Sequence, residues 1–471
     1  MLRKAFRDYV FTTKYYRVDV IIVLLFLFFI LAIGGIKFPK EVPMGFLGLG
    51  FASITFLLGP YVGFIFYFIT TFFRSIPVPG LPISLNQIIG VLFIMSWINW
   101  LLRGKVNFPR GRLALFFTVV FVYFLINCFA AEDFAEGAFH AWYVAIYFFI
   151  ALSLASVVRE KRHFHAIFWI VLLTTFLSSL LGFFELVSGI DILTKSGARW
   201  MGRVRINGAA PNSIVFAYQL LYAFPLGYYL FSEGSSFRSR FLALGLSIFI
   251  TMIALFTFNR QTILVIGFTY FISALLYRNR YSKIFMGIVL AMFLLMGPFV
   301  MRLIWSRLQT MKAGREDRSL TLRLDGLQVG KEMVRRHPFM GVGLGCYHIM
   351  WWEYIPVGKT RILQYLKGTI RYPDIGYNQL LSEGGLIGFG ITAGFFLFLL
   401  FYLWKSRKRA LIEERRDMIN LYSALFNILA IFLLSSFIQD TFLYVRTWIM
   451  FGLILATLHK PFQSDKIQKS P

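Results

Sequence analysis

Between Arg335 and Trp352 the chain reads RRHPFMGVGLGCYHIMWW. Adjacent cations, a His-Pro pair and alternating glycines at Gly341, Gly343 and Gly345 are residue types that either hold an anion or build a tightly packed loop. Their spacing fits neither a dinucleotide fingerprint nor a Walker loop with its Lys-Ser/Thr, so a nucleotide site is not expected. From Leu303 to Asp374, twelve Lys/Arg face six Asp/Glu, an excess that points to an anionic ligand. Guanidinium groups recognise phosphate oxygens two at a time, which makes the head group of a lipid suitable. His337 is of the right type to move a proton, but its place before Pro338 fits a residue that fixes the loop. Cys128 and Cys346 form no framework and have no metal-ligand spacing, so no metal site is expected.

A membrane scaffold must position that loop. Of 471 residues, 58% are apolar, 19% aromatic and only 15% charged, with a mean hydropathy of +0.69; this lies far outside soluble composition. The net charge of +26 falls mostly in short loops between apolar runs, where it sets orientation rather than attracting nucleic acid. Apolar windows near the ~20 residues that cross a bilayer occur at 20–38, 44–58, 60–73, 84–102, 112–131, 138–157, 164–187, 211–231, 239–257, 261–277, 282–302, 386–404, 418–437 and 442–458. They predict an all-α polytopic bundle of about 14 transmembrane helices (12–14) in a single membrane domain, residues 1–471.

Basic clusters at the amino terminus, Arg103–Arg112, Arg159–Arg162, Arg238–Arg240, Arg278–Lys283 and Lys405–Arg416 are expected in the cytoplasm. The alternation closes only if 44–73 is two short spans turning at Gly59-Pro60. Both termini are then cytoplasmic, and two segments face outward: a short one at 188–210 and a long one at 303–385. No cleavable signal is expected, because the first apolar run continues for a full span.

Four stretches now carry a resemblance: RINGAAPNSIVFAY (Arg205–Tyr218), FNRQTILV (Phe258–Val265), RLDGLQVGKEMVRRHPFMGVGLGCY (Arg323–Tyr347) and DIGYNQLLSEGGLIGFG (Asp374–Gly390). In order and spacing they resemble the bacterial O-antigen ligase and O-antigen polymerase family, over about residues 200–405. The most specific piece is the His-Pro-x-x-Gly-x-Gly run followed by a Gly-x-x-Gly helix entrance.

The resemblance implies a multi-pass glycosyltransferase in the bacterial cytoplasmic membrane, with its active site facing outward. Its donor would be an undecaprenyl-diphosphate-linked oligosaccharide and its acceptor another glycan or lipid, with membrane lipid as the surrounding partner. No nucleic acid, metal, nucleotide or other cofactor is implied. Arg205, Arg260 and Arg323 match family positions and would stabilise the departing diphosphate; interfacial anchoring is the alternative for the first two. Family ligases carry His-Asn where this chain has Asp374-Ile375, so Asp374 stands in as the group that orients or activates the acceptor hydroxyl. Pro373-Asp374 also reads as a helix start. Asn378, one turn on, would bind the same sugar, with His337 in the surrounding loop.

The missing His-Asn favours a polymerase over a ligase. A flippase for the same lipid-linked glycans is the alternative from another class; it predicts repeated halves and polar groups at the bilayer midplane, which the sequence does not display.

Overall fold

The computed structural model describes residues 60–72, 85–189, 199–200, 203–204, 206–210, 213–257, 259–276, 318–355, 375–437 and 444–459, with a few positions between 283 and 294. The helices are α1 (Pro60–Phe72), α2 (Leu85–Leu102), α3 (Arg112–Asn127), α4 (Phe134–Val157), α5 (Lys161–Ser188), α6 (Ser213–Glu233) and α7 (Phe237–Phe256). They continue with α8 (Arg260–Leu276), α9 (Arg318–Arg336), α10 (Tyr347–Met350), α11 (Gly376–Ile412), α12 (Arg416–Ser436) and α13 (Val445–Ala456).

Seven described segments are long and apolar enough to cross a membrane: Arg112–Ala130, which is α3 with a short 3-10 extension, and α4, α5, α6, α7, α11 and α12. Shorter apolar stretches are Ile89–Leu102, Gln261–Leu276 and Val445–Ala456. The windows 20–38 and 44–58 and most of 282–302 lie outside the described residues, so the count of fourteen is not reached among them. Among the described residues, the expected outer segment 188–210 carries one departure from an all-helical chain, an antiparallel ribbon of β1 (Arg199–Trp200) and β2 (Arg203–Val204).

The chain divides into two compact units, one of residues 1–110, 149–266 and 448–471, the other of 111–148 and 267–447. In the first, α6 and α7 meet at small residues: a Cβ on Gly227 would fall 1.7 Å from Ser247 Oγ. Such close approach is how helices pack where apolar surface alone gives no preference for one another. Local signals set the helix ends. Ser236 caps α7 by accepting from the Ser239 N–H at 3.2 Å, and α5 ends at left-handed Gly189, whose N–H donates to Glu185 O at 2.9 Å.

In the second unit α9 departs from expectation, because it lies in the segment read as loop. Its buried residues Asp325, Val329 and Met333 recur every four positions, which places them on one face. Val329 and Met333 pack with Val342, Cys346, Tyr347, Trp351 and Tyr354. A search for uniformly apolar windows misses such a helix, because only one stripe of it is apolar.

Candidate functional site

The site in the second unit is organised by an interruption in α11. At Gly385 the backbone turns to φ 61°, ψ −168°, so the helix consists of two segments meeting at a kink. A break of this kind leaves carbonyls before it and N–H groups after it without helical partners. The chain from His337 to Gly343 supplies them. Ser382 O and Glu383 O accept from the N–H groups of Val342 at 2.9 Å and Gly343 at 3.1 Å. Leu386 and Ile387 N–H donate to Pro338 O at 2.8 Å and Phe339 O at 3.2 Å. The Gly384 carbonyl accepts from the Tyr123 hydroxyl.

This pairing explains why the two sequence motifs occur together: His-Pro-x-x-Gly-x-Gly is the cap of the broken helix. Gly341 sits at φ 69°, and a Cβ there would lie 2.3 Å from Ser382 O; one on Gly385 would lie 2.3 Å from Phe339 O. Only backbone fits between these strands of chain. The loop is anchored on its other side by Asn127, whose Nδ2 donates to Met340 O at 2.7 Å, and by Glu132 N–H donating to Val342 O at 3.1 Å. The glycines therefore serve close packing, the structural of the two readings open to the sequence.

Against this loop sits a polar centre of Glu132, His337 and Tyr354. His337 Nε2 lies 2.8 Å from Glu132 Oε1 and 3.1 Å from the Tyr354 hydroxyl, and that hydroxyl donates to the same carboxylate oxygen. Burial, with the Glu132 charge beside it, raises the Tyr354 pKa, so the phenol keeps its proton. Since that proton goes to Glu132, the network assigns a proton to His337 Nε2, in a side chain 40% exposed. A carboxylate that fixes an imidazole in this way selects its tautomer and orientation.

Arg336 stacks 5.0 Å over the Tyr354 ring while its Nε donates to Glu332 at 3.0 Å. Arg335 bonds the same carboxylate through Nε and Nη2 at 2.9 and 2.8 Å. The paired arginines hold the Glu332 carboxyl at about 2, and they are engaged with it on an exposed helix end.

The residues singled out in the sequence fall into three groups. Arg205 and Asp374 lie outside the described residues, and Arg260 is described only as the first residue of α8. Arg205 and Arg260 belong to the first unit; Arg323, His337, Asp374 and Asn378 belong to the second. Asn378 is buried, and its Nδ2 donates to Gly326 O at 3.0 Å. A Cβ on Gly330 would meet the Asn378 Oδ1 at 2.0 Å. Its side chain thus ties the start of α11 to α9. Arg323, half-buried on α9, lies one turn before Gly326 and so near this junction. Fourteen residues separate it from His337, roughly 20 Å along a helix axis. Arg323 is therefore one turn from the residue that Asn378 bonds, and His337 is at the opposite end of α9.

Two features escaped the sequence reading. Glu185, 1% exposed near the end of α5, accepts from the N–H groups of Asn207 at 2.7 Å and Gly208 at 3.0 Å. It clamps the segment that follows Arg205, and an acid in so apolar a helix was the available signal. The second is the trio Glu136, His140 and His348, whose ligand-type atoms lie within 4.8 Å of one another. Glu136 and His140 are four apart on α4, but His348 comes from α10, and nothing in sequence spacing links them.

Residues 245–393 match the family model described as O-antigen ligase. The sequence matches no curated protein. The matched stretch contains α9, the capping loop and the kink of α11, so it is over this part of the chain that the protein is similar to the O-antigen ligase family.

Proposed function

We propose that the protein polymerises glycan repeat units carried on undecaprenyl diphosphate, at the outer face of the cytoplasmic membrane, during surface polysaccharide synthesis. An acceptor sugar hydroxyl attacks the anomeric carbon of the donor glycan. The new glycosidic C–O bond forms as the bond to the diphosphate oxygen breaks, undecaprenyl diphosphate leaves, and the hydroxyl proton passes to a protein base. Arginine neutralises the departing diphosphate in place of a metal ion, and the resemblance offers Arg205, Arg260 and Arg323 as candidates for that role. Asp374 orients or deprotonates the acceptor.

The Asn378–Gly326 bond carries this reading, because it registers the start of α11 against the turn of α9 that bears Arg323, and Asp374 precedes that start by two residues. Asn378 accordingly acts as the joint beneath the reacting groups rather than as a sugar ligand. His337, at the far end of α9, binds a more distant sugar of the repeat unit through its partly exposed side chain. An oligosaccharide, rather than a single sugar, covers that separation.

A second reading makes His337 the base, favoured by the Glu132 hydrogen bond that sets its tautomer. Purified protein reconstituted with lipid-linked repeat units distinguishes the two. Under the first, Asp374→Asn lowers kcat and His337→Gln raises KM; the reverse assignment supports the second. A ladder of products indicates polymerase action. Single transfer to a separate acceptor, with no ladder, would show ligase action instead, and movement of lipid-linked glycan without bond formation would show a flippase.

A further inference from the structure

We propose that Glu136, His140 and His348 form a binding site for a first-row transition-metal ion, with Zn²⁺ the best match, pinning the glycine loop to the start of α4. This inference is independent of the glycan-transfer reading and assigns the ion a structural role. Glu136 Oε1 lies 3.2 Å from His140 Nδ1 and 3.3 Å from His348 Nε2. A tetrahedral zinc ion with bonds of about 2.0–2.1 Å holds neighbouring ligand atoms roughly 3.3 Å apart, so two of the three edges already have the required length. The third, His140 Nδ1 to His348 Nε2, is within 4.8 Å, and tetrahedral ligation requires it to match the other two.

The surroundings hold the ligands in place. Side-chain exposure is 7% for His348, 12% for His140 and 26% for Glu136, which fixes both rings and leaves one side open for a fourth, water ligand. His348 also hydrogen-bonds to the Gly345 main chain, the kind of outer contact that orients a ligating imidazole. Gly345 makes room for the other ring, since a Cβ there would fall 2.3 Å from His140 Nδ1. Glu136 is held by its own N–H, which donates to Asp133 Oδ1 at 3.1 Å. Two imidazoles with one carboxylate suit zinc and its neighbours and are a poor set for magnesium or calcium, which prefer all-oxygen shells. The competing arrangement is a metal-free hydrogen-bonded trio, in which His140 Nδ1 turns to the Glu136 carbonyl, also 3.2 Å away.

The test is metal analysis of the purified full-length protein in detergent, with any affinity tag removed, stripped with chelator and then titrated separately with Zn²⁺ and Mg²⁺. One Zn²⁺ per chain is expected, with a zinc-dependent rise in Tm that Mg²⁺ does not reproduce. The double variant His140→Ala/His348→Ala should bind Zn²⁺ at least about 100-fold more weakly. Should that variant fail to fold, Co²⁺ added to the unaltered protein provides the second readout, a visible absorption band of tetrahedral cobalt. Absence of stoichiometric zinc, retention of tight zinc binding by the folded double variant, equal binding of Mg²⁺, or a colourless cobalt complex would each overturn the site. Because content, melting and absorption are read without glycan substrate, failure here leaves the transfer reading intact.

Discussion

Asp374→Asn separates two roles of one carboxylate. As a helix-starting residue alone, the change loses mainly a charge–dipole contribution of roughly 0.3–1 kcal/mol, since Asn caps about as well. As the group that activates the acceptor, it loses on the order of 10²-fold in kcat at unchanged protein level, and a variant with near-normal polymer synthesis would remove Asp374 from the mechanism. Asn378 gives the opposite expectation. Because its amide bonds Gly326 O in a buried setting, Asn378→Ala should lower stability by about 1–3 kcal/mol, seen as a reduced Tm; a change confined to KM would return the residue to the sugar. The sequence marked Asn378 by its place one turn after Asp374. It could not show that Gly330 leaves α9 bare for its side chain, since that contact joins residues about fifty positions apart. His337 was visible through its motif, whereas Glu132 and Tyr354, which decide what its ring can do, come from segments with no motif of their own.

At the scale of elements, the kink of α11 and its capping loop stand or fall together. Gly341→Ala and Gly385→Ala place a Cβ against main-chain oxygen at positive φ, and each should cost at least about 1–3 kcal/mol. Gly390 offers the internal comparison, with no atom within 4 Å of its added Cβ; Gly390→Ala should be neutral or stabilising by up to about 1 kcal/mol. Thermal melts of the three variants in one detergent check the order, and equal melting temperatures would show that the break is not held by backbone fit. The motifs on either side of this contact were legible because their glycines sit at fixed spacing. Their mutual hydrogen bonding was not, because backbone groups leave no trace in residue identity. For the same reason the segment 303–385 read as loop although α9, α10 and the first part of α11 lie within it.

For the whole molecule, the seven windows at 112–131, 138–157, 164–187, 211–231, 239–257, 386–404 and 418–437 correspond to helices of spanning length, because length and apolarity are the properties a bilayer itself selects. Orientation rests on charge and is tested by cysteine labelling of intact cells. Residues Gly104, Glu160, Ser235 and Lys408 should be protected, and Ala198, Thr310 and Thr360 should label; labelling at residue 104 would overturn the turn at Gly59-Pro60. The background is low at one native thiol, because burial raises the Cys346 pKa to about 12, and thiol chemistry needs the thiolate. Transfer by the purified protein should likewise gain nothing from added Mg²⁺ or Mn²⁺, and strict dependence on either would displace the arginines as the groups that receive the diphosphate.

The bonds across the α11 kink also constrain how the protein can move. Lifting the 338–343 segment away would strand four main-chain hydrogen bonds at once, two accepted by Ser382 and Glu383 and two donated by Leu386 and Ile387. Such an opening has no small intermediate steps, so the amides of Val342, Gly343, Leu386 and Ile387 should exchange with deuterium as one cooperative group. On the transfer reading proposed above, glycan entry is then accommodated by other parts of the chain, with loop and helix travelling as a single body.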